Sequence, residues 1–212
     1  MPRPILAAVL SLAALPAMAA AALAQERPPL FPTRDVAITY RISGAQAPQG
    51  MPGMPPLQNM TMSWLAAAQT MRVDMAGAGF MVADHRAQRG FMVIEAARMV
   101  MDIPMEQALQ QAGPSATATY RRIGSDTVAG LACTVWSYQD RGNSGTACVT
   151  TEGVMLRAQG ASQGQSGGLE ATQVTFGAQD PARFQRPQGY QTMQIPGGMG
   201  GTQTPGTQRP AR

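Results

Sequence analysis

The chain has 212 residues, with 16 Lys+Arg against 12 Asp+Glu, one histidine and two cysteines. Every basic residue is arginine, and apart from Arg121-Arg122 they are scattered. The basic stripe with interleaved aromatics that reads nucleic acid is missing, so nucleic acid is excluded as a partner. There is no HExxH, no phosphate-cradling glycine loop and no carboxylate pair that spacing brings together, which predicts a non-enzymatic protein with no cofactor.

Residues 1–24 read as a signal peptide. Arg3 supplies a positive start, 5–15 an apolar core too short to span a bilayer, and Ala22-Leu23-Ala24 a small-x-small cleavage site before Gln25. Ala17-Met18-Ala19 is a second possible cut. Cleavage near Ala24 predicts a periplasmic protein that does not span the membrane. The residue directly after the cut is Gln25 and not cysteine, so no lipid anchor is expected. Losing Arg3 leaves 15 arginines against 12 acids, a net of +3. The remaining chain of about 190 residues is enough for one domain with a sizeable core.

A proline-rich lead-in, 25–34, precedes a β domain expected over 35–195. In 35–42, Val36, Ile38, Tyr40 and Ile42 alternate with Asp35, Ala37, Thr39 and Arg41, the period of a strand with one face buried. The stretch 43–59 contains four prolines and reads as a flexible loop. Strand patterns resume at 60–65, 69–75, 79–84, 91–95 and 98–103, separated by tight-turn chemistry. One segment is helical in pattern, 104–111, PMEQALQQ, with proline in the first turn, Glu106 favoured by the helix dipole, and Gly113-Pro114 as a stop. Strands follow at 116–123, 131–138, 146–151 and 154–158, then a flexible 159–168 and a last strand at 169–176. Residues 196–212 have no apolar period and read as a disordered tail. The prediction is a mainly β fold: a single antiparallel, curved half-barrel sheet of about 10–11 strands with one short helix.

The stretch 123–157 holds both cysteines. In an oxidising compartment a lone pair on facing strands is most simply a structural disulfide, Cys133–Cys148, contributing roughly 3 kcal/mol on the chain-entropy model. Setting Cys133 directly opposite Cys148 puts Tyr138 opposite Asn143 and leaves a four-residue turn.

Methionine is abundant: 16 in the chain, 14 once Met1 and Met18 are removed. Met60, Met62 and Trp64 share one strand face, and Met71, Val73 and Met75 share another, so these six are the candidate lining of an apolar binding surface. The alternative is a Cu(I) site of soft thioethers from Met51, Met54, Met60 and Met62. Gly160-Ala161-Ser162-Gln163-Gly164 matches the GxSxG pattern but lies in a Gly/Gln/Ser loop, and His85 precedes it, so it reads as an accident of composition.

Val128-Ala129-Gly130-Leu131-Ala132-Cys133, Val135-Trp136, Ala147-Cys148-Val149-Thr150, Gly153-Val154 and Leu156-Arg157 together resemble the pattern of a bacterial exported domain-of-unknown-function family. Phe184, Pro187, Gly189 and Tyr190 resemble a closing signature shared with the LolA/LolB-like lipoprotein-carrier superfamily. The resemblance implies a half-open antiparallel β-barrel with an apolar concave face and a helical lid, able to hold acyl chains. The expected function is therefore to bind or shelter an apolar or lipid-like ligand on a concave sheet. The alternatives are an envelope structural or interaction protein with a protein partner and no small ligand, or the Met-based Cu(I) binder.

Overall fold

A computed structural model describes residues 26–44, 58–105, 117–162 and 165–193. The signal peptide, most of the loop 43–59, the helix at 104–111 from Glu106 onward and the tail 196–212 lie outside the described residues.

The strands are β1 Val36–Ser43, β2 Asn59–Leu65, β3 Thr70–Met75, β4 Gly79–Asp84, β5 Arg89–Ile94 and β6 Met99–Ile103. They continue as β7 Thr119–Val128, β8 Leu131–Asp140, β9 Asn143–Val149, β10 Met155–Ser162, β11 Gln165–Phe176 and β12 Gln191–Met193. All twelve form one sheet, in the order β12-β6-β5-β4-β3-β2-β1-β11-β10-β9-β8-β7. Two meanders thus diverge from a central β1/β11 pair: β2 to β6 run outward on one side, and β7 to β11 run inward on the other. Period-two alternation in β1 to β3 produces the mainly β, single curved sheet that the sequence predicts.

Three details differ from the expectation. Among the described residues the sheet has twelve strands, and the last, β12, pairs with β6 in parallel. The stretch 159–168 is not a loop: β10 runs on to Ser162 and β11 starts at Gln165, pairing Gly160 with Gly167 and Gln159 with Gly168. Glycine is needed there because the Tyr138 ring lies across the ladder. A Cβ on Gly145 or on Gly160 would come within 2.7 Å of the Tyr138 hydroxyl. Ser162 of the GxSxG pattern therefore ends a strand, outside the strand-turn-helix setting that a nucleophile elbow requires.

The third difference is register. Val135, not Cys133, is directly opposite Cys148, and Asp140 pairs with Asn143, leaving the two-residue turn Arg141-Gly142. Both turn residues have positive φ, 49° and 79°, the conformation whose twist matches that of the flanking strands. Ala129-Gly130, at 49° and 78°, repeats it between β7 and β8. The disulfide itself forms, diagonally across the hairpin, with Cα atoms 5.4 Å apart. A shift of two residues keeps every side chain on its face, so both cysteines still enter the core.

Curvature is visible in one ion pair. Arg157 of β10 donates to Asp126 of β7 at 2.7 Å, although three strand spacings in a flat sheet amount to about 14 Å. The sheet curls enough to close that gap. Two apolar clusters then form. One joins Val36, Ile38, Tyr40 and Trp64 to Val154, Leu156, Ala171 and the disulfide. The other packs Phe80, Val82, Phe91, Val93 and Val100 against Phe184, which a short 3-10 turn, Pro181–Phe184, delivers. Asp180 caps that turn by accepting from the Ala182 N–H.

Candidate ligand-binding face

Hairpin register sorts the side chains of β1 to β6 into rows that run across the strands. One row is Tyr40–Met60–Met75–Gly79–Ile94–Met99, the next Ile38–Met62–Val73–Met81–Met92–Met101, and the third Val36–Trp64–Met71–Ala83–Gly90–Ile103. All three occupy one face. Every methionine of β2 to β6 is in these rows: Met60, Met62, Met71, Met75, Met81, Met92, Met99 and Met101. The opposite rows carry Thr61, Asp74, Phe80, Val93 and Val100, or Ser63, Arg72, Val82, Phe91 and Asp102. Methionine is absent from that side.

The two faces are finished differently. On the methionine face all eight thioether side chains are half-buried. On the other, Phe80, Val82, Phe91, Val93 and Val100 are buried beneath Phe184 and flanked by Tyr190. Polar contacts hold the covering segment in place: Arg183 pairs with Asp74 at 3.2 Å, Arg186 with Asp102, and the Tyr190 hydroxyl donates to Glu95 at 2.6 Å. An open cleft of about 320 Å³ near the β3–β4 turn is lined by Arg72, Asp74, Phe80 and Glu95, among others. Arg72 is already engaged there, bonding Asp74 at 2.9 Å and lying 3.5 Å above the Phe80 ring.

The six candidate lining residues are brought together on the methionine face, with Met60 opposite Met75, Met62 opposite Val73 and Trp64 opposite Met71. They are not equally available. Trp64 is only 2% exposed and belongs to the core, capped by Phe31 with ring centroids 5.2 Å apart. Met60, Met62 and Met71 pack against the rim of that core, while Val73 and Met75 belong to neither cluster. Sequence reasoning missed Met81 and Met92, because Phe80-Met81-Val82 and Phe91-Met92-Val93 are apolar on both sides and show no period-two contrast. The signal that finds them is the hairpin turns, which fix the register. Met51 and Met54 of the alternative copper set lie outside the described residues, and its other members, Met60 and Met62, sit on the methionine face.

An aromatic group closes one end of the face. The His85 imidazole is 4.6 Å from the Phe31 ring and 5.7 Å from the Trp64 ring, centroid to centroid. Burial lowers its pKa, with the Asp84 carboxylate opposing weakly, and its Nε2 has no hydrogen-bond partner among the described residues. Burial also pushes the Tyr40 phenol up, where the hydroxyl donates to the Met155 carbonyl at 2.6 Å. Among the described residues no three His, Cys, Asp or Glu side chains cluster as metal ligands. No helix there is long and apolar enough to cross a membrane.

No family model and no curated protein matches the chain. Solved structures do resemble it. An uncharacterized conserved protein from Thermus thermophilus aligns with 77% of this chain and 91% of its own at 11% identity, TM-score 0.52, which places the two in one fold. The MucA/MucB complex of Pseudomonas aeruginosa aligns at 15% identity and TM-score 0.45 over 76% of this chain, which spans 58% of that chain. A LolA superfamily protein from Nitrosomonas europaea aligns at 9% identity and TM-score 0.38, over 74% of this chain and 93% of its own.

Proposed function

We propose that this is a periplasmic, non-enzymatic protein that shelters an apolar or lipid-like ligand on the methionine face of its curved sheet. The observation that carries the reading is the sorting of eight methionines onto one half-buried face while the other face is sealed by its own chain. Leucine, valine and phenylalanine suffice where the partner is fixed, as beneath Phe184. Unbranched, polarizable thioethers suit a partner whose shape varies. Val73, Met75, Met81 and Met92 form the open centre of the surface, with Met60, Met62 and Met71 at its rim and Trp64 in the core behind it. An acyl chain laid there gains about 0.8 kcal/mol per CH₂ withdrawn from water.

Export through the signal peptide 1–24 places the protein in the compartment where the disulfide persists and where lipids need escorts. Native mass spectrometry of protein recovered from its own periplasm tests the reading. A co-purifying lipid mass supports it. Bare protein that also fails to take up a fluorescent fatty acid rejects it in favour of an envelope interaction protein.

A further inference from the structure

Within the methionine face one row is distinctive. Met81 of β4 is directly opposite Met92 of β5, Met92 directly opposite Met101 of β6, and Met101 directly opposite Met193 of β12. Four adjacent strands thus contribute one thioether each to a single line. The other rows contain no such run: Met60 and Met75 form an isolated pair followed by Gly79, and Met71 is flanked by Trp64 and Ala83.

We propose that Met81, Met92 and Met101 form a binding site for a soft monovalent metal ion, Cu(I) or Ag(I), with Met193 next to Met101 at its outer edge. Thioether sulfur is a soft donor that selects such ions over Zn(II), Mg(II) or Ca(II). Directly opposed residues in an antiparallel pair have Cβ atoms about 4.5–5.5 Å apart. Each methionine side chain has three rotatable bonds, so the sulfurs of Met81 and Met101 can lean inward to meet that of Met92 without moving the backbone. The residues are also reachable: Met81, Met92 and Met101 are half-buried, and Met193, on the outermost strand, is 52% exposed. The neighbouring rows place Ile94 and Met99 on one side of this line and Ala83 and Ile103 on the other, and the Gln191 amide stands next to Met193 at the outer edge. The site differs from a grouping of Met51, Met54, Met60 and Met62, where Met60 and Met62 sit in separate rows.

The test is titration of the mature, disulfide-intact protein with Ag(I) under native mass spectrometry, and with Cu(I) against bicinchoninate. One tightly held ion is expected. Removing the central donor by Met92→Leu should weaken binding by about tenfold or more, since it takes one thioether from a three-donor set. The paired change Met60→Leu with Met75→Leu should leave affinity unchanged. Methionine and leucine are close in volume, so the variants keep their fold, and unchanged thermal melts confirm it. The proposal is overturned if no ion is retained at micromolar concentration, or if the Met81→Leu, Met92→Leu, Met101→Leu, Met193→Leu protein retains it as well as the parent. The latter outcome assigns the ion to His85 or to methionines elsewhere.

Discussion

The ring of Phe31 lies flat on the indole of Trp64, with centroids 5.2 Å apart and planes 1° from parallel. Phe31 comes from the lead-in before β1, and the same segment is tied to the far meander. Its carbonyl is where a Cβ on Gly153 would collide, at 2.1 Å, and Thr33 N–H donates to the Glu152 carbonyl at 2.9 Å. Arg34 adds an ion pair to Glu152. Residues 31–34 therefore strap the β9–β10 turn to the end of β2 and β4. Phe31→Ala should cost about 1 kcal/mol, the scale of an aromatic pair on a partly exposed ring, read as a lower urea midpoint with unchanged slope.

The diagonal disulfide makes a separable prediction. It closes a loop between positions 15 apart, so replacing both cysteines with alanine should destabilise the fold by about 3 kcal/mol. Its cysteines come from β8 and β9, outside the strands that build the methionine rows, and pack in the core with Val154 and Leu156. Once folded, the double variant should bind an apolar probe with parental affinity. Lowered affinity at unchanged stability contradicts this division of labour.

His85 gives the fold a pH dependence of known sign. Burial lowers its folded-state pKa below the ordinary imidazole value of 6.5, so below about that pH the unfolded chain takes up the proton first. Stability is full above the unfolded pKa and falls as pH drops through it toward the folded value. The melting temperature should decline from pH 7 toward pH 5, and His85→Gln should flatten that decline. An unaltered slope in the variant would mean that the aromatic contacts leave the imidazole unperturbed.

Much of the fold was legible because period-two alternation is strong in β1, β2 and β3, where polar and apolar residues contrast at every step. Register was less so. Displacing the β8–β9 hairpin by two residues leaves Cys133 and Cys148 on the same face, so alternation cannot see the error. Only the positive φ of Arg141 and Gly142 decides it. The strand ends around Gly160 and Gly167 were hidden by composition, since glycine signals flexibility unless a ring such as Tyr138 is known to cover it. Of the candidate site, the β2–β3 half was visible and the β4–β6 half was not. Phe80-Met81-Val82 and Phe91-Met92-Val93 have no polar face, and nothing local shows that Phe184, roughly a hundred residues on, covers the phenylalanine side.

Two neighbouring residues of β5 face opposite sides of the sheet. Met92 is half-buried on the methionine face, and Val93 is fully buried on the opposite one. Titrating a fluorescent fatty acid into Met92→Glu and Val93→Ala compares the two sides. Met92→Glu should lose probe binding with a stability change under about 1 kcal/mol. Val93→Ala should lose about 2 kcal/mol of stability and keep its affinity. Equal probe binding by Met92→Glu and the parent protein contradicts a ligand on this face.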